Sequence, residues 1–112
     1  MSEVRADARF GINIKVFIRE LDIWLDTDNI SHSGFLLLNE LKEDLKSCTV
    51  RIKYCDNEFP HVVKARKVRI VEGKLAFVFK FLDEESSVEF NDWLDQVALD
   101  EIEGKFLSWN EE

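Results

Sequence analysis

Residues 75–97 read LAFVFKFLDEESSVEFNDWLDQV, and a change of rhythm inside them decides the fold class. From Leu75 to Leu82 nearly every residue is apolar, with Phe77, Phe79 and Phe81 on one face of an extended chain. Only a central strand buries that much. The pattern changes at Ser86. Ser86 and Glu89 have the spacing of a capping box, which satisfies backbone donors at a helix start. Phe90, Trp93, Leu94 and Val97 follow at i, i+3, i+4 and i+7. This is one face of an amphipathic helix, and it needs a sheet to pack against.

Upstream of that junction, period two dominates. Ile12, Ile14, Val16 and Ile18 alternate with Asn13, Lys15, Phe17 and Arg19, which predicts a half-buried first strand. A turn is expected at Glu20–Asp22. Leu21, Ile23 and Leu25 restart the alternation, with Trp24 facing the other way to cover an open end of the sheet. Asp26 to Gly34 has turn composition. Phe35–Leu38 reads as a third strand, and Leu38, Leu41 and Leu45 allow a short helix after it. Val50, Ile52 and Tyr54 mark a fourth strand, and Asp56–Pro60 a loop. His61–Val71 reads as a fifth, whose adjacent Val62 and Val63 imply a bulge. Glu72-Gly73 then turns into the strand already quoted. Six short antiparallel strands with brief turns predict an all-β fold with one C-terminal helix: a six-stranded antiparallel β-barrel capped by that helix.

The 112 residues suit one domain, and 46% hydrophobic content supports a core without disulfides or metal. A formal net charge of −8 argues against sequence-independent DNA or RNA binding, which needs a broadly basic surface. Cys48 and Cys55 are expected to be reduced strand residues. His32 and His61 lie too far apart, and too far from any C-x-x-C, to make a zinc site. There is no apolar segment of membrane-spanning length and no signal-type h-region, so a cytoplasmic protein starting near Met1 is expected. The chain divides into a flexible lead-in (1–10), a barrel plus helix (11–98), and an acidic tail (99–112). Ile102, Phe106, Leu107 and Trp109 make that tail either a segment folded back on the domain or a surface for a partner or dimer.

Two polar pieces carry the chemistry. Arg5 and Arg9 stand four apart in the lead-in. An arginine fork fits phosphate bidentately and stacks on a purine, and guanine offers it O6 and N7. Asn29 and Ser31 stand two apart, on one face of an extended segment, where short polar groups bond a base edge. Gly34 permits close approach of backbone or ligand. The pieces combine cationic clamps with a polar shelf, and they suggest a site for an anionic, guanine-bearing ligand. No nucleophile–base pair, P-loop or metal cluster accompanies them, so an enzyme is not expected.

Arg5-x-x-x-Arg9 followed by Asn29-x-Ser31-x-x-Gly34 resembles the signature of the bacterial PilZ domain, RxxxR then [D/N]xSxxG about twenty residues on. The order of a six-stranded barrel and then a helix is similar too. Residues 65–69 and 79–83 resemble the late strands of that family, over roughly residues 4–98. The resemblance implies a non-enzymatic receptor for cyclic di-GMP. Arg5 and Arg9 would hold phosphates and guanine edges, Asn29 and Ser31 would bond a guanine, Gly34 would shape the turn, and Arg69 would match a family arginine. Ligand binding would order the lead-in and change the surface shown to an unidentified protein effector, with the chain a monomer or weak dimer. The alternative is a PilZ-like interaction module that uses no nucleotide, to which Val4, Asp7 and the acidic charge point.

Overall fold

The computed structural model describes residues 10–110, with side chains described to residue 104. Its strands are β1 (Ile14–Ile18), β2 (Ile23–Ile30), β3 (Gly34–Leu37), β4 (Ser47–Tyr54), β5 (Asn57–Glu58), β6 (Val63–Val71) and β7 (Lys74–Lys80), followed by α1 (Glu84–Asn110). All pairings are antiparallel: β1 with β2, then β3, β7, β6 and β4 in turn, and β4 back onto β1. Six strands therefore close into a barrel. The two-residue β5 adds only to the end of β4, where Arg51 grips Glu58 through two bonds of 2.6 and 2.9 Å.

Closure follows from the alternation. Ile14, Val16 and Ile18 of β1, Val50 and Ile52 of β4, and Phe35 and Leu37 of β3 all point inward and are essentially unexposed. The β6–β7 hairpin turns on Glu72-Gly73, both at positive φ, as a two-residue hairpin loop requires. Phe77 stacks on Phe35 at 5.1 Å, so the Phe-rich strand lies in the middle of the core as expected. The helix plugs one side of the barrel with Phe90, Leu94 and Val97, all fully buried.

Several expectations need correction. The segment Asp26–Asn29 is strand, not turn. Its polar side chains are satisfied across the sheet: Lys15 pairs with Asp26 at 2.6 Å, Lys74 with Asp28 at 3.3 Å, and Thr27 Oγ1 donates to the Ile14 carbonyl at 2.9 Å. Trp24 covers no barrel end. It lies outside against Phe17, with Arg51 and Lys53 over its ring. Residues 38–46 form no helix; Leu41 and Leu45 pack on the core from a loop. The β6 bulge falls between Lys67 and Arg69 rather than at Val62. The helix starts one residue after Asp83, whose carboxylate accepts from the Ser86 N–H at 2.8 Å. That bond holds the Asp83 carboxyl below its usual range, and Asp83 replaces Ser86 as the cap. The helix then runs unbroken past Ala98 to Asn110, with Leu99 and Ile102 exposed on it.

The two cysteines are free, Cys48 buried and Cys55 exposed. Burial, with Glu20 adding to it, pushes the Cys48 thiol up to about 12. Because the thiolate is the reactive species, iodoacetamide at pH 8 is expected to label Cys55 and spare Cys48 until the chain is unfolded. Equal labelling rates in the native protein would contradict the packing around β4.

Candidate functional site

The signature turn is built by its own side chains. Ser31, His32 and Ser33 connect β2 to β3, and the Ser31 N–H donates to the Gly34 carbonyl at 2.8 Å. The Ser31 hydroxyl is wholly buried. It accepts from the Ser33 N–H at 3.3 Å and lies 3.4 Å from the Gly34 oxygen. Ser31 thus fixes the turn's shape. Gly34 is needed for a different reason. A Cβ there would collide with the carbonyl oxygen of Phe77 on β7 and sit 3.0 Å from its carbon. The absent side chain is what lets β3 lie against β7.

Asn29 flanks this turn, half-buried on the side of β2 opposite inward-facing Ile30. Across the barrel wall, Asn29 pairs with Leu36, Leu36 with Ala76, and Ala76 with Arg69. Arg69 therefore shares a row with Asn29. Three strand spacings separate them, about 14 Å. The neighbouring row runs Gly34, Val78, Arg66. Arg66 is exposed and only two spacings from Gly34, about 10 Å. Sequence reasoning missed it. Plain alternation along β6 would have found it, but the bulge between it and Arg69 obscures which arginines share a face.

Arg5 and Arg9 lie outside the described residues. What the structure does show is the residue next to Arg9. Phe10 is bridged to Ile30, donating to its carbonyl at 2.7 Å and accepting from its N–H at 3.2 Å. The first described residue thus lies against the centre of the Asn29–Ser31 segment. The Phe10 ring also lies 6.1 Å from His32.

His32 is half-buried in the turn. Its Nε2 lies 2.7 Å from Asp95 on α1, which ties the turn to the helix. One helical turn earlier, the Asn91 side-chain oxygen is buried with no hydrogen-bond partner among the described residues. Further polar contacts clamp the helix elsewhere. Trp93 donates to Asn57 at 3.1 Å, His61 meets Glu89 at 3.0 Å, and Tyr54 donates to Glu101. The last bond pushes the Tyr54 phenol up to about 12. No cluster of His, Cys, Asp or Glu placed to hold a metal occurs among the described residues. No described helix is long and apolar enough to cross a membrane.

No protein-family model matches the chain, and no curated protein matches it. Solved structures do. An uncharacterized Legionella protein, Lpg0364, superposes with a TM-score of 0.68 at 12% identity, covering 86% of this chain and 98% of that one. The Bacillus subtilis inhibitor of motility MotI/DgrA gives 0.63 at 16% identity, over 88% of this chain and 53% of that one. The PilZ domain of CeSA from a cellulose-synthesizing bacterium gives 0.50 at 18% identity, over 73% and 89%. At such identities the likeness speaks for architecture alone. The closed six-stranded barrel, the extra short strand and the single C-terminal helix are those of a PilZ domain, and the chain has the PilZ fold.

Proposed function

We propose that the chain is a non-enzymatic receptor for cyclic di-GMP that signals by contact with a protein effector. The observation that carries this reading is the bridge between Phe10 and Ile30. It sets the residue that follows Arg9 in sequence beside the Asn29-x-Ser31-x-x-Gly34 turn, which supports reading the two motif pieces as one site. Arg5 and Arg9 supply the planar donors that grip phosphate and the guanine O6/N7 edge. Asn29 offers an amide to the base from the outer wall, and buried Ser31 and Gly34 hold the turn in shape. Arg66 and Arg69 add positive charge along the same wall. Binding would order the lead-in against the barrel, a switch of the kind that exposes or hides a partner surface. The His32–Asp95 bond then gives the turn a direct connection to α1.

Isothermal calorimetry with cyclic di-GMP tests the reading. Saturable binding is expected, weakened at least tenfold by Arg5→Ala or Arg9→Ala and by a smaller factor by Asn29→Ala. Each lost charge-assisted bond corresponds to about 1.5–3 kcal/mol. Heats identical to buffer dilution would rule the receptor out.

A further inference from the structure

One row beyond Gly34, Val78 and Arg66 on the same barrel wall, and next to Phe79, whose N–H donates to the Ser33 carbonyl at 2.8 Å, the barrel carries a second surface. Lys64 and Lys80 face each other directly across the β6–β7 ladder, and both are exposed. Like charges in opposed positions destabilise a sheet. The chain has 23 acidic residues against 15 basic ones, yet none of its described carboxylates forms an ion pair with Lys64, Lys80 or nearby Arg19. These cations border a cavity of about 180 Å³. Buried Phe59 and Val63 line it, together with Val62 and Leu82, which are 52% and 90% exposed.

The size of the cavity narrows the ligand class. Small-molecule pockets run to about 300–1,000 Å³, and this one holds a single bulky side chain. An apolar anchor in a pocket, ringed by charges, is how protein interfaces concentrate their affinity. A nucleic acid would need a much wider basic surface.

We propose that this groove docks a protein segment bearing one large apolar side chain flanked by carboxylates. The apolar side chain fills the space between Val62 and Leu82. The carboxylates neutralise Lys64, Lys80 and Arg19, relieving the repulsion across the ladder. The groove adjoins the proposed nucleotide site, with Lys64 and Lys80 two residues from Arg66 and Val78, so it is tested without nucleotide.

The test is selection of a random dodecapeptide library on the whole chain, followed by fluorescence polarisation with the enriched peptides. Enriched sequences are expected to carry one Leu, Phe or Trp beside Asp or Glu. Lys64→Glu, Lys80→Glu and Val62→Asp should each weaken them at least tenfold. Lys80→Glu should melt no lower than the parent chain, since it removes a like-charge pair, so its loss of binding cannot be ascribed to unfolding. The proposal would be overturned by no enrichment, by peptides lacking that pattern, by affinities blind to the groove variants, or by equal displacement by phosphatidylglycerol vesicles. Displacement by self-association of the chain, seen in sedimentation, would also overturn it.

Discussion

Phe90→Ala is expected to destabilise the protein by about 3–5 kcal/mol, the range for emptying an aromatic site in a packed core. Phe90 is fully buried and touches Phe59, Phe79, Phe81 and Trp93, with ring centroids 4.9 to 5.9 Å apart. It joins the helix to the Phe-rich strand and to the segment after β5. The polar clamps between helix and barrel cannot replace it, because exposed ion pairs are each worth about 0–1 kcal/mol. A domain with about 5–15 kcal/mol in total loses a large share of its stability. Urea unfolding followed by far-UV circular dichroism measures this. A loss below about 1 kcal/mol would mean that α1 is not part of the cooperative core.

Gly34→Ala is the second large effect, at about 2–3 kcal/mol, because the added methyl has nowhere to go without moving backbone. The atoms it meets belong to the Phe77 carbonyl and Val78 Cα. No side-chain rotation relieves the clash, so β3 and β7 must separate where the turn is anchored. Gly104→Ala supplies the control. No atom lies within 4 Å of a Cβ there, and the residue is within α1. The same substitution should stabilise by about 0.8–1 kcal/mol through helix propensity. Thermal melts of the two variants are expected to shift in opposite directions. A neutral Gly34→Ala would show that this glycine serves the ligand and not the β3–β7 approach. In the receptor proposed above, Gly34→Ala should also weaken cyclic di-GMP binding, since the turn carrying Ser31, and Asn29 beside it on β2, move with it.

The barrel was legible in the sequence because its strands alternate cleanly where they face the core. Ile14-x-Val16-x-Ile18 and Val50-x-Ile52 allow only one inward face. The helix was legible because Phe90, Leu94 and Val97 keep its period. Local composition misled where distant partners decide the outcome. Asp26–Asn29 looks like a turn until Lys15 and Lys74, far away in sequence, neutralise its aspartates. Ser86 looks like the cap, but Asp83 reaches the Ser86 N–H and its charge favours a helix start more strongly. The turn motif was read from residue types alone, and its geometry explains why Ser31 and Gly34 are the residues there. The His32–Asp95 bond spans 63 positions, and no local pattern announces it.

That bond has a mechanical consequence. Asp95 lies near the middle of a helix 27 residues long, and about 22 Å of rod extends from it to Asn110. A rigid rod multiplies rotation into displacement with distance from its pivot. A 10° swing about Asp95 would carry the far end through about 4 Å along that length. In the proposed receptor, a movement of the turn on ligand binding would thus reach the far end of α1 already amplified.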